Sequence, residues 1–188
     1  MNAWELPTSL EVNGKRCEIR TDFRAVLDVL TAFNDPELES FIKPYVMLEI
    51  IYIDHELIPD QDIEEAVKKA MDFIDCGMKE DGNKPKPRTM DWEQDAPLII
   101  PAINRVAGKE IRAVEYMHWW TFMGCYMEIR ECLFSQVINI RTKKAKGKKL
   151  EKDEQEFFKE NKELIIIKRP ESEEDERAKE ELIKLLGR

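Results

Sequence analysis

From Tyr116 to Met127 the chain runs twelve residues, Tyr-Met-His-Trp-Trp-Thr-Phe-Met-Gly-Cys-Tyr-Met, without a single charge. This stretch holds two of the four tryptophans and one of the two histidines. At a 3.6-residue period its large apolar side chains point in nearly every direction, and a helix that is apolar all round is buried on several sides. The spacing predicts a central core helix from near Ala113 to about Arg130, against which amphipathic helices elsewhere in the chain pack. Twelve uncharged residues fall well short of the ~20 that span a bilayer, so the stretch reads as core and not as a membrane span.

A chain of 188 residues is long enough for one sizeable core and too short for two comfortable ones. One helical domain over residues 1–168, followed by a charged tail over 169–188, is the expected organisation. With 43% hydrophobic and 37% charged residues and only 7 glycines, the composition favours a mainly α protein, a multi-helix bundle. A net charge of −9 argues against a nucleic-acid binder driven by phosphate contacts. Cys17, Cys76, Cys125 and Cys132 form no CxxC pair and read as reduced thiols of a cytosolic chain. Met1-Asn2-Ala3-Trp4-Glu5 lacks the basic and apolar regions of a signal peptide.

Leu10 to Ile19 alternates apolar and polar residues on both sides of Asn13-Gly14, the pair suited to the positive φ angles of a type I′ turn. A short N-terminal β-hairpin is predicted, its apolar face (Leu10, Val12, Cys17, Ile19) laid on helices because two strands alone are marginal in water. Thr21 or Asp22 caps a helix to about Phe33, with Phe23, Val26, Leu27 and Leu30 on one face. Asn34-Asp35-Pro36 ends that helix and opens the next, Asp35 as cap and Pro36 at the first helical position. Pro44 resets the helix and gives a second apolar segment from Tyr45 to Ile53. After a loop over Asp54–Asp60, Asp60 or Asp62 opens a helix that Gly77 closes in the left-handed conformation.

Residues 79–91 have the composition of a mobile loop. Asp95 caps a helix with Pro97 in its first turn, ending at Gly108. A shorter helix with Leu133, Val137, Ile138 and Ile140 comes after the Trp-rich one. The run 141–149 contains six basic residues and no acidic one, and reads as a solvated linker. Phe157 and Phe158 lie on a helix from about Leu150 to Asn161. From Glu171 to Arg188 there are seven acidic and four basic residues, with Leu182, Ile183, Leu185 and Leu186 near the end, a tail that docks on the body or on a partner, or frays.

Histidine as a residue type suits acid–base chemistry near neutral pH, which makes His118 the obvious candidate, but its neighbours are bulky and apolar and no orienting partner stands beside it. A ring hydrogen-bonded at the edge of the core is the stronger reading. His55, between Asp54 and Glu56, lies 63 positions from the other histidine and lacks the ligand spacing of a zinc site. Cys125 and Cys132 share a side only if one helix continues through both, and two thiols without further ligands count as small core residues. No GxxxxGK[ST], GxGxxG or HExxH occurs, so no cofactor, nucleotide or metal chemistry has motif support and an enzyme is not expected. Asp22, Asp35 and Asp95 are better explained as helix caps than as paired catalytic carboxylates. Trp119 and Trp120 point about 100° apart, which leaves two readings open: both in the core, or one at a groove that receives an apolar partner helix.

Five pieces in order carry a resemblance: Asp22-Phe23-Arg24 after the hairpin, Phe73-Ile74-Asp75-Cys76-Gly77 closing a helix, Gln94-Asp95-Ala96 opening one, His118-Trp119-Trp120-Thr121-Phe122, and Ile138-Asn139-Ile140-Arg141. The chain resembles, over roughly residues 8 to 165, the phage protein family named after a fifteenth gene product, found in tailed phages and prophages of Gram-positive bacteria. His-Trp-Trp is the most specific piece. The resemblance implies a helical protein of the tail-morphogenesis region, encoded near the tape measure gene and similar in character to tail assembly chaperones of the host cytoplasm. The partners so implied are the tape measure protein and the tail tube protein, with no nucleic acid and no membrane. A homo-oligomer is compatible with this reading. It supplies no catalytic residues. The residues expected to meet a partner are Trp119, Trp120, Phe122, Met123 and Tyr126, lining an apolar groove. The alternative is a structural component of the tail or baseplate.

Overall fold

The computed structural model describes residues 4–78 and 87–168. The tail at 169–188 and most of the loop expected at 79–91, residues 79–86, lie outside the described residues. The fold is mainly helical with one two-stranded antiparallel sheet, β1 (Ser9–Val12) and β2 (Lys15–Glu18), in the register Leu10↔Cys17 and Val12↔Lys15. Asn13 and Gly14 take φ of 47° and 75°, the left-handed pair that a type I′ turn demands. Leu10, Val12 and Ile19 are buried, as the alternation predicts. The turn is tied down by Asn13, whose side-chain amide donates to Asp62 Oδ1 at 3.0 Å and whose backbone N–H donates to Glu65 Oε2 at 3.1 Å.

Helix α1 (Phe23–Asn34) is capped by Asp22, whose carboxylate accepts from the Arg24 N–H. Its buried side chains are Phe23, Val26 and Val29, with Leu27 and Leu30 half-buried beside them. Asp35 ends α1, but no helix begins at Pro36. The Asp35 carboxylate instead accepts from the Glu37 N–H, a side-chain turn that competes with helix initiation. Helix α2 (Lys43–Ile51) starts seven residues beyond Pro36, with Pro44 in its first turn. After two short 3-10 turns comes α3 (Ile63–Ile74), across which Tyr52 places its hydroxyl to donate to the Ala66 carbonyl at 2.9 Å.

The end of α3 is a Schellman closure: Gly77 N–H donates to Asp72 O at 2.8 Å and Cys76 N–H to Phe73 O at 3.0 Å. The residue at the left-handed closing position is thus Cys76, φ 57°, with Gly77 after it at φ 69°. The sequence predicts a glycine at that position, because glycine adopts positive φ at least cost.

Helix α4 (Ala96–Ala107) ends on Gly108 at φ 67°. The Trp-rich helix α5 is shorter than its apolar run suggests, Trp119–Met127. Residues 111–113 form a 3-10 turn, and 114–118 are not helical, with Val114 extended and a bend at Glu115. Backbone bonds Phe23 N–H to Met117 O (2.9 Å) and Trp119 N–H to Thr21 O (2.7 Å) pair this piece with the entry to α1. Those long-range bonds hold residues 117–118 out of the helix that their apolarity predicts.

Helix α6 (Leu133–Ala145) has 13 residues against 9 for α5 and is the longer of the two, contrary to expectation. It runs well into the basic stretch 141–149, so that stretch is no linker: its first half is helix, and Arg141 is buried. The break at 128–132 also means that no one helix carries both Cys125 and Cys132: Cys125 is in α5 and Cys132 is the extended residue before α6. Helices α7 (Lys152–Glu160) and α8 (Lys162–Ile165) complete the described chain.

One apolar core reaches from the hairpin through α1–α5 to Phe134. A smaller cluster of Val137, Ile140 and Ile165, with Leu98, Leu150, Phe157 and Phe158 against it, joins α6 to α7 and α8. Among the described residues no helix is long and apolar enough to cross a membrane.

Candidate partner-binding site

The five residues expected to meet a partner divide into two groups. Trp119 and Phe122 are at most 2% exposed and belong to the core. Trp120, Met123 and Tyr126 are half-buried, so part of each reaches the surface. Both adjacent tryptophans turn their indole N–H to the end of α3: Trp119 Nε1 donates to Ile74 O at 2.8 Å and Trp120 Nε1 to Phe73 O at 2.9 Å. A helix C-terminus leaves its last carbonyls without intrahelical partners and carries partial negative charge, and the two indole donors satisfy both needs. Burial beside this closure pushes the Cys76 thiol up to about 11.

His118 supports the same junction from the other side. Its Nδ1 accepts from the Trp120 N–H at 3.0 Å and caps α5, while Nε2 lies 2.9 Å from the Pro7 carbonyl. An acceptor at Nδ1 and a carbonyl opposite Nε2 require the neutral ring with its proton on Nε2. With both nitrogens committed to backbone groups, the ring anchors the segment before the hairpin, and neither nitrogen is left to serve as a base. Asp22 completes the joint by accepting from the Met117 N–H at 3.0 Å as well as capping α1.

Beside this joint an apolar cleft of about 260 Å³ opens between α1, α4 and α5. Its walls include Phe23, Leu27, Trp92, Ile99, Ile100 and Phe122. Phe23 stacks on Phe122 with centroids 4.7 Å apart and planes within 5°, which fixes one wall. Trp92 forms the other, lying 6.1 Å from Phe122, 6.2 Å from Trp119 and 5.2 Å from Tyr126. Trp92 is the site residue that sequence reasoning missed. It precedes α4 in a segment of turn composition, and the one signal for it is that a tryptophan there has no amphipathic helix of its own to join.

Two arginines sit at the mouth. Arg24 bonds the Asp22 carboxylate and donates to the Val114 carbonyl at 2.8 Å. Arg112 forms a fork with Glu110 through Nε (2.8 Å) and a terminal nitrogen (2.9 Å). These bonds, together with one from Asn104, hold the Glu110 carboxyl down at about 2.

Asp95 does not cap α4 with its side chain. It is buried against Arg141, which spends all five of its N–H donors: two on Asp95 (2.6 and 2.8 Å) and three on the carbonyls of Thr89, Leu164 and Ile165. The neighbouring Gln94 binds the backbone on both sides of Ile167, donating to Ile166 O and accepting from the Lys168 N–H, each at 2.8 Å. The five sequence pieces therefore meet in space as three couplings: Asp22-Phe23-Arg24 with the start of α5, the end of α3 with Trp119-Trp120, and Gln94-Asp95 with Arg141. A sequence model of the family described as "Bacteriophage Gp15 protein" matches residues 3–167, nearly the whole chain.

The chain belongs to the bacteriophage Gp15 family. The match covers every coupling just described and stops at the segment that Gln94 holds. No curated protein and no solved structure matches this Gp15-family chain. Among its described residues no three or more His, Cys, Asp or Glu side chains gather as a metal site would, and His55 lies in a 3-10 turn at the end of α2.

Proposed function

We propose that this protein is a non-enzymatic tail assembly chaperone, acting in the cytoplasm of the host bacterium. In this role it holds the hydrophobic, helical tape measure protein soluble until tail tube subunits assemble around it. The observation that carries the reading is the cleft between α1, α4 and α5: apolar walls, one of them stiffened by stacked aromatic rings, and a mouth open to solvent. At about 260 Å³ it lies below the ~300–1,000 Å³ of small-molecule pockets. It suits one or two bulky side chains projecting from an amphipathic helix that lies across it, the helix-in-groove mode. Of the five α5 residues expected to meet the partner, Phe122 lines this cleft, and in this reading the half-exposed edges of Trp120, Met123 and Tyr126 add contacts outside it. Net negative charge supports solubility of the loaded complex.

Co-expression with the neighbouring tape measure protein, followed by pull-down, tests the reading. A recovered complex and a more soluble tape measure are expected; neither appearing ends the proposal. A second reading, a component of the finished tail or baseplate, draws on Phe41, Tyr45 and Leu57, which are 68%, 56% and 78% exposed and do not line the cleft. Mass spectrometry of purified particles separates the two, since a chaperone is absent from them and a structural protein is stoichiometric.

A further inference from the structure

The described chain ends beside a second concavity of different character. This cleft, about 190 Å³, is walled by Phe158, Ile165, Ile166 and Ile167 and carries the cations Arg88 and Lys144 at its edge. Arg88 pairs with Asp91. The Lys144 ammonium lies 3.7 Å from the centre of the Phe158 ring, is exposed to solvent, and has no carboxylate within salt-bridge distance among the described residues. Its neighbour Lys143 is already paired with Glu154 at 2.6 Å. Beyond Lys144, the exposed Lys146, Lys148 and Lys149 extend the positive field in a chain whose net charge is −9.

The exit of the chain is fixed. Gln94 grips the backbone at Ile166 and Lys168, and Arg141 grips the carbonyls of Leu164 and Ile165, so Lys168, the last described residue, is held next to Ile167 of this cleft. The sequence beyond that point is strongly acidic: of residues 171–176, Glu171, Glu173, Glu174, Asp175 and Glu176 are carboxylates. Glu171 is three residues from Lys168, within about 10 Å at full extension. A basic rim and a tethered acidic segment at this range attract one another at high effective concentration.

We propose that the cleft beside Phe158 is the docking site for the acidic segment 171–176 of the same chain. Its carboxylates lie against Lys144 and Lys146 and screen the end of α6 from other polyanions. An acidic partner that reaches α6 has to displace this segment, so the contact is an intramolecular competitor.

Zero-length carbodiimide cross-linking of the full chain, with light and heavy isotopic copies mixed and the products read by mass spectrometry, tests this. The Lys143–Glu154 pair serves as the internal control. Expected are amide cross-links from Lys144 or Lys146 to residues 171–176 within copies of one isotope. They should be lost at about 1 M salt, where the screening length is about 3 Å, and in the Lys144→Glu variant the cross-links from the remaining Lys146 should be at least tenfold weaker. The proposal is overturned if the control cross-links and these do not, if they join light to heavy chains, or if residues 171–176 link equally to distant lysines such as Lys15 and Lys109.

Discussion

The guanidinium of Arg141 and the carboxylate of Asp95, 46 residues apart in sequence, form two bonds of 2.6 and 2.8 Å with neither side chain more than 4% exposed. Removing one partner from such a pair leaves a buried charge without compensation, and that loss costs about 3–5 kcal/mol. Asp95→Ala and Arg141→Ala are each expected to lower stability by that amount in urea unfolding. The double change Asp95→Leu/Arg141→Met should cost clearly less than the sum of the single ones. Arg141→Met also frees the Leu164 and Ile165 carbonyls, so amide exchange in residues 162–168 should accelerate in this variant and not in Asp95→Asn.

The indole caps on α3 predict a graded effect. Trp119→Phe removes a bond and leaves a space in a fully buried site, at an expected cost of about 2–4 kcal/mol. Trp120→Phe keeps most of the half-exposed contact and should cost about 1 kcal/mol. Gly77→Ala is expected to cost about 1 kcal/mol through its left-handed backbone. A Cβ there meets only the far edge of Trp120, at an ordinary 3.9 Å. Thermal unfolding of the three variants should rank Trp119→Phe last.

At the apolar cleft, Leu27 and Ile100 are half-buried wall residues rather than core ones. Ile100→Glu or Leu27→Glu should place a charge where the proposed partner helix would pack. Affinity for the tape measure protein is expected to fall at least tenfold, about 1.4 kcal/mol, while circular dichroism stays near wild type. A tape measure fragment bound equally well by both variants would remove the cleft from the interface.

Glu110 gives a pH prediction with a definite sign. Its carboxyl is held near 2, first by the side-chain and backbone bonds from Arg112 and then by Asn104. Between about 4.5 and about 2 the unfolded chain binds the proton and the folded one does not, so this contribution to stability is complete above pH 4.5 and disappears as the pH falls towards 2. Carboxyl NMR titration of Glu110 should show the low midpoint. Arg112→Ala should return it towards the ordinary glutamate range.

Local chemistry was legible in the sequence. Asn13-Gly14 set the hairpin, Asp22 its helix cap and Gly108 a helix end, because each acts through bonds to residues within a few positions. Tertiary pairing escaped the same reasoning. Residues 117–118 are apolar enough for a helix, yet the Met117 carbonyl is taken by the Phe23 N–H and the Met117 N–H by the Asp22 carboxylate, both from far along the chain. Asp95 looks like a cap and Arg141 like one member of a basic run, and only their meeting across 46 positions explains either. The candidate site was partly legible for the same reason: composition marks α5 as aromatic, whereas the cleft depends on Trp92 and on the opposing wall from α1 and α4.

The Phe73 carbonyl receives two donors, the Cys76 N–H that closes α3 and the indole of Trp120 that arrives from α5. A protein that draws Trp120 outward therefore unfastens one of the two stitches at the end of α3, and must offer an acceptor of its own to be bound well. The half-exposed tryptophan is in this respect a reporter as much as an anchor: were a partner to draw it outward, its indole proton would have to leave the Phe73 carbonyl, and its resonance would register occupancy at the joint between two helices.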